Sequence, residues 1–526
     1  MILFAAVSYG QEAVPKLEVE EEYQILGKDT RVFSITGERS STVGYIAVPL
    51  RLAREERTIA SSEGLISEDE RIRRKEAFNA SNGLNAWGHY SFGAYKTSTF
   101  FGKADYDAGD FAGSVTLLNR TSEENTPLNT AALSQDIEVA GFFDTPIADY
   151  AVSIGFSRDE DDSLTSAFRP GNHEVNRSRS TFTVKPSIFE AWNPVGRMSV
   201  ASGNYANYED PSDASKPVDE NELIVDGGVE VTGELYNFTA TGNTNIEYFK
   251  LGGDSGTLFT TEAAADWLFM NAFGVSAGAE IAVFELPGET TKTKVYPKAK
   301  LDWALSTGIF FKAQYNPGIV SHSFGDMFDS NGLITLAVPM VFEERTSDLS
   351  GEFGFRTRGG LSASVGGFAV KSEDSPVFSR TGDYFEIVKN ADVELTGFRV
   401  KTEYLEEDSW GLNGQVNVNN ADWNFAGNVP YIPDMDARVD SYYIPHGLWK
   451  IRASLTYTGK HYVELNKDDS ESSFVMIDLG VDREVLKQYI SMYVDLRNIT
   501  DSNGSWWTAR YNVPGIGIYI GIKAQY

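Results

Sequence analysis

The sequence predicts an all-β protein, a transmembrane antiparallel β-barrel of about 20 to 22 strands with a short N-terminal non-barrel segment. Three observations carry this prediction. From about Gly83 to the end, segments of roughly 9 to 13 residues alternate apolar with polar or small side chains, which is the period and length of tilted membrane-crossing strands. Aromatic residues (Trp449, Tyr457, Tyr462, Trp506, Trp507, Tyr511) gather near segment ends, where interfacial girdles sit. The same texture persists to Tyr526 with no change of composition of the kind a domain boundary leaves.

Along the chain, residues 1–13, "MILFAAVSYGQEA", read as a clipped signal peptide. A short apolar stretch is followed by small and polar residues, although the basic n-region is missing, and a short buried strand is the alternative. Residues 14–83 differ from the rest. "KLEVEEEYQ" is acidic, "GYIAVPLRLA" fits one strand, and "SEDERIRRKEAF" has helical composition. This stretch is expected to be a periplasmic or lumenal segment, with the barrel spanning 84–526.

The strands read most plainly near the end. In "WKIRASLTYTG", Ile451, Ala453, Leu455 and Tyr457 share one face, opposite Arg452, Ser454, Thr456 and Thr458. "VMIDLGVD" sets Val475, Ile477, Leu479 and Val481 against Met476, Asp478, Gly480 and Asp482. The terminal "IGIYIGIKAQY" sets Ile516, Ile518, Ile520, Ile522 and Ala524 against Tyr519, Gly521, Lys523 and Gln525. A soluble sandwich alternates too. Slim apolar faces opposite charges of both signs suit lipid outside and water inside. Arg452, Asp478, Asp482, Asp495, Arg497 and Lys523 are therefore expected to face the lumen. They either line a pathway or pair across strands, with Asp495 expected to meet Lys523 or Arg497. Long polar connections, such as "NRTSEENTPLNTAALSQD", "NYEDPSDASKPVDENE" and "YNPGIVSHSFGDMFDSNGL", alternate with short turns such as "YDAGD" and "LEEDSW". That asymmetry matches long extracellular loops and short periplasmic turns.

Composition excludes several functions. With Lys+Arg 45 against Asp+Glu 75, the net charge of −30 is wrong for a nucleic-acid surface. No cysteine is present, so disulfides, thiolate metal sites and a Cys nucleophile are excluded. The five histidines show no metal-ligand spacing, and no G-x-S-x-G or other catalytic constellation occurs. No enzyme activity and no cofactor is expected. Acidic runs such as "RDEDD" and "NKDDSES" lack the order of a calcium loop and read as solvated loops, with divalent bridging to lipopolysaccharide phosphates as the alternative.

Several stretches carry a family resemblance. In "VKNADVELTGFRVKTEY", Asn390, Ala391, Glu394 and Gly397 stand in an "N-A … G-x-E-x-x-G" register, with Asp392 in place of its first glycine. "NVPYIPDMDARV" supplies Asn428, Pro430 and Pro433 of an "N-x-P-x-x-P" stretch. Asn498, Tyr511, Pro514 and Gly515 fall in "LRNITDSNGSWWTARYNVPGIGIYIGIKAQY", before a final alternating strand. "KVYPKAKLDWAL" with "AQYNPG" is similar to a mid-barrel strand pair. Together these resemble the barrel of TonB-dependent outer-membrane receptors. The resemblance implies a bacterial outer-membrane location, lipid and lipopolysaccharide around the barrel, and transport or passive passage of solutes. It also implies that Tyr519 and Tyr526 on the closing strand serve barrel closure and recognition by the barrel-assembly machinery. Receptors of this family carry an N-terminal plug of well over a hundred residues, and 14–83 is shorter and lacks the plug's glycine motifs. A plugless, porin-like barrel is one expectation. The other is a non-conducting barrel closed by its own N-terminal segment or by a periplasmic partner, acting as scaffold or anchor in an envelope complex.

Overall fold

The structure, a computed structural model, describes residues 84–525 apart from short connecting stretches, the longest being 162–172, 328–340, 463–469 and 505–514. The expected signal peptide and the 14–83 segment, with Asn390, Tyr511, Pro514 and Tyr526, lie outside the described residues.

Successive wall strands pair antiparallel, and the first, Leu84–Gly93, pairs with the last, Gly517–Gln525. The register of that closure runs from Trp87 opposite Gln525 to Gly93 opposite Tyr519. The ring holds 22 strands, because Ile309–Tyr315 and Gly318–His322 are two stretches of one strand and both pair with Val341–Arg356. Closing the first strand on the last removes the sheet edge, as a lipid environment requires. Two small hairpins, Val377–Thr381 with Tyr384–Val388 and His461–Tyr462 with Ser470–Glu471, stand outside the ring. Among the described residues no helix is long and apolar enough to cross a membrane, and the crossing is made by strands.

Alternation sets the two faces. On the last strand Ile518, Ile520 and Ile522 are 53, 53 and 47% exposed, whereas Tyr519 between them is 6% exposed. Around the ring large apolar side chains are exposed on the outward positions, among them Ile137, Ile154, Ile246, Val295, Phe353 and Val365. This outward band is what lipid tails would cover. Antiparallel order places both ends of the ring, Leu84 and Gln525, at the rim that carries the short turns 145–147, 307–308 and 407–409. The opposite rim carries the longer connections 323–340, 374–392, 424–434 and 498–516.

Two polar stretches expected to be long loops are instead strand. "NRTSEENTPLNTAALSQD" lies mostly in Phe111–Asn125 and Thr130–Asp144, and "NYEDPSDASKPVDENE" mostly in Trp192–Asp210 and Asp213–Leu235. Pairing continues to Asn125 opposite Thr130 and to Asp210 opposite Asp213. The physical reason is that a strand reaching past the lipid meets water on both faces. Its apolar alternation vanishes there while its backbone ladder goes on.

Candidate functional site

The inner wall is built from the inward-pointing half of each alternating strand. On the strands Trp449–Thr458, Phe474–Leu486, Ile490–Arg497 and Gly517–Gln525 it carries one ion network. Arg452 Nε donates to Asp482 Oδ2 at 2.7 Å, and its Nη2 donates to Asp495 Oδ1 at 2.7 Å. Lys523 Nζ donates to Asp482 Oδ1 at 3.2 Å. Arg452 and Asp495 are not on adjacent strands, and Gly480 lies between them as the register partner of both. A Cβ at Gly480 would stand 2.6 Å from Asp495 Oδ1 and 2.9 Å from the guanidinium carbon of Arg452. The glycine is therefore the gap through which the ion pair crosses a strand. Asp495 meets Arg452, not Lys523 or Arg497 as the strand order suggested. Arg497 instead lies 4.4 Å over the ring of Tyr519, and Asp478 accepts the backbone N–H of Asn498 at 2.7 Å. All six charges lie on the face opposite the exposed Ile451, Leu479, Val481, Met492, Val494 and Ile522.

Two wall strands earlier in the chain, Trp410–Trp423 is lined with amides. Arg399 Nε donates to Asn417 Oδ1 at 2.8 Å, and Asn417 Nδ2 donates to Asp436 Oδ1 at 2.6 Å. Asn419 Nδ2 reaches the carbonyl of Pro433 at 3.0 Å. Four of the family-motif residues within the described chain, Gly397, Pro430, Pro433 and Asn498, are packed or hydrogen-bonded. Pro430 forms a bridge with Tyr462, and Pro433 is buried. A Cβ at Gly397 would meet the Phe368 ring at 2.6 Å. Asn498 holds φ 46° and is buried; its Oδ1 accepts from the N–H of Ser502, and its Nδ2 donates to the Ser502 carbonyl. Glu394 and Asn428 are exposed, and Gly515 leads into the last strand.

The closing seam is stitched from inside. The ring of Tyr493 lies across Gly521, and its hydroxyl shares a 2.7 Å hydrogen bond with His89 Nε2 on the first strand. Tyr519 covers Gly93 and Gly517 in the same way. An aromatic ring over a glycine restores contact where the strand has no side chain. Here it also links strands that are not hydrogen-bonded neighbours.

On the opposite wall the strand broken at Asn316 and Pro317 leaves the ring. Lys292–Ser306 is paired with Ile309–Tyr315 only from Ala299 to Ser306, so among the described residues its 292–298 half has no ladder partner on that side. Gly318–His322 stays paired with 341–345, and this hairpin turns inward. Its Ile319 and Phe342 join Phe249, Leu258, Ala282, Phe284 and Tyr296 in a buried cluster. Those five wall residues alternate with exposed Phe259, Ile281 and Val295, which places the cluster on the lumen side. Phe342 contacts the rings of Phe249 and Phe284, each at 5.8 Å. At the base of the hairpin, Glu343 is met by His322 Nε2 at 2.9 Å, Arg345 Nε at 3.3 Å and Ser372 Oγ at 2.5 Å. Beside it, Lys298 Nζ lies 2.6 Å from Glu262 and 2.7 Å from Glu280. A buried carboxylate held by three donors is stable where a lone one is costly.

Sequence reading placed none of this inward hairpin, because "YNPGIVSHSFGDMFDSNGL" was expected to be loop. The available signal was Ile319 and Phe324 set in a polar stretch directly after a strand-breaking proline. Among the described residues no group of three or more His, Asp or Glu forms a metal site.

No family model and no curated protein matches the chain by sequence. Its fold does match solved structures. The FrpB iron transporter of Neisseria meningitidis in its apoprotein form aligns with TM-score 0.69 at 10% identity, covering 85% of this chain and 81% of that one. The copper transporter OprC aligns with TM-score 0.68 at 11% identity, over 84% and 81%. The ferric enterobactin receptor PfeA of Pseudomonas aeruginosa aligns with TM-score 0.63 at 13% identity, over 84% and 80%. At these identities the likeness is one of fold. Together with the apolar exterior and the closed ring, it makes this chain a bacterial outer-membrane β-barrel. Within that class its 22-strand barrel is the one that TonB-dependent outer-membrane receptors have.

Proposed function

We propose that the protein passes solutes across the outer membrane through the lumen of its barrel and is a conduit, not an enzyme. The observation that carries the reading is the closed 22-strand ring with an apolar exterior and an ion-paired, amide-lined interior. A ring of this size encloses more space than its own wall side chains fill. The structural neighbours named above are transporters and receptors for iron, ferric enterobactin and copper. Metal complexes are therefore the first cargo to test.

In this reading Arg452, Asp478, Asp482, Asp495, Arg497 and Lys523 face the solute path. Tyr519 and Tyr526 serve closure and recognition by the barrel-assembly machinery, and lipopolysaccharide surrounds the outer rim. Residues 14–83 or a periplasmic partner govern how far the lumen stands open. Single-channel recording of the purified full chain tests the reading. Steady openings that carry current, or uptake of a metal complex lost on deletion of the gene, are expected. A silent bilayer without uptake would replace the conduit with a closed barrel serving as scaffold or anchor.

A further inference from the structure

The geometry points to residues 318–325 as a resident strap inside the lumen, latched by Glu222, which keeps one side of the passage narrow whatever fills the rest. The inference rests on the reading of the barrel as a conduit. Its ground is the way the strap is bonded to strands far from its own. Phe324 and Gly325 direct their backbone N–H groups at Glu222, at 2.7 and 3.1 Å from its two carboxylate oxygens. Tyr205, on Trp192–Asp210, donates its hydroxyl to the same carboxylate at 2.9 Å, and its ring meets Phe324 edge-on at 4.6 Å. Ser321 donates to Glu247 at 2.8 Å on a third wall strand.

Glu222, Tyr205, Phe324, Ser323 and Met327 are all buried. The tip sits flush on the wall. A Cβ at Gly325 would come within 2.9 Å of the Tyr205 hydroxyl and 3.1 Å of Glu222. Below the tip, Ile319 and Phe342 fill the apolar cluster on the inner faces of four wall strands. A surface loop that merely leaned inward would not carry a buried carboxylate satisfied by three donors. Nor would it leave the 292–298 half of a wall strand, among the described residues, without a ladder partner on one side. The strap therefore belongs to the folded barrel. It subtracts from the lumen on the side of the strands from Trp192–Asp210 to Lys292–Ser306, opposite the closing seam in strand order.

The chain has no cysteine, so a single introduced thiol reports alone. Ser323→Cys places that thiol at a buried position of the strap itself. Gly253→Cys, at an open turn where a Cβ would meet nothing within 4 Å, is the exposed control. Both are made in the full chain and reacted with a membrane-impermeant maleimide. The Ser323→Cys thiol is expected to react at least about tenfold slower than the control, and adding Glu222→Ala should raise its rate about tenfold. That factor corresponds to losing about 1.4 kcal/mol of charge-assisted hydrogen bonding. Tyr205→Phe should raise the rate less. If Glu222→Ala does not fold, Glu222→Gln and Tyr205→Phe carry the comparison.

Equal rates at the two thiols with Glu222 intact would overturn the strap. So would a rate indifferent to Glu222 in a chain that still migrates as a folded, heat-modifiable barrel. Conductance is read on the same preparations. Slow, Glu222-dependent labelling in a silent bilayer keeps the strap and removes the conduit. Fast labelling in a conducting bilayer does the reverse.

Discussion

Gly480 shows what a single residue does in this wall. It is the small residue on the inner face of Phe474–Leu486, and its missing Cβ lets Arg452 reach over a strand to Asp495. The three charges are only partly dry, with side-chain exposures of 12 to 16%, so the network is worth less than a fully buried one. Gly480→Ala puts a methyl group where the guanidinium lies. It is expected to destabilise the barrel by about 1 to 3 kcal/mol, the usual cost of overpacking. The loss should appear as a lower urea midpoint for the heat-modifiable folded band, and Asp495→Asn should add little to it, because the bond to Arg452 has already gone. Additive losses would mean that the glycine and the ion pair are independent. At this scale the sequence held the parity of the charges but not their partners. Alternation says which face Arg452 and Asp495 occupy. Who meets whom depends on inter-strand register and on which intervening residue lacks a side chain, and neither is written locally.

At the scale of the element, the inward hairpin separates local from global stability. Phe342 is buried against Phe249 and Phe284, but it belongs to a stretch, 341–343, whose ladder partner is 320–322 and not the ring. Phe342→Ala removes a buried aromatic ring at a cost of about 3 to 5 kcal/mol. The cost should fall on the hairpin. Hydrogen exchange of the amides in 318–322 is expected to accelerate strongly, while those of the closing strand, Gly517–Gln525, keep their protection. Equal acceleration in both places would show that the hairpin unfolds only with the ring. Here the sequence gives a half-message. Asn316 and Pro317 mark the break, because proline cannot donate to a ladder. The five residues after it are too few to reveal a strand by alternation, and their burial comes from wall positions up to about a hundred residues away. The polar strand ends at the rim opposite Leu84 and Gln525 were illegible for the opposite reason: with water on both faces, nothing in the side-chain pattern distinguishes paired strand from loop.

At the scale of the whole molecule, the strand count and the closure were the most legible features, since each lipid crossing repeats the same period and the terminal strand must meet the first. The repeat is strong because one solvent, hydrocarbon, selects the outer face of every strand alike. The lumen imposes no such uniformity, and its residues vary between ion pairs, amides and apolar clusters. This difference predicts opposite tolerance on the two faces. Ile520 sits near the middle of the last strand, pointing outward and half-exposed, whereas Ser454 lies on the inner face of Trp449–Thr458, one register pair from the Arg452 network. Ile520→Arg places a charge in lipid at a cost of about 2 to 4 kcal/mol near the midplane. Its level in outer membranes should fall severalfold and its urea midpoint should drop, while Ser454→Arg, facing water and Asp478, should assemble close to wild-type levels. Because Ile520 also pairs with Phe92 of the first strand, Ile520→Ala is the control for lost packing at the seam, and it should lose less than the arginine. If Ile520→Arg assembles as well as Ser454→Arg, the isoleucine face does not meet lipid, and the outer-membrane orientation of the ring falls with it.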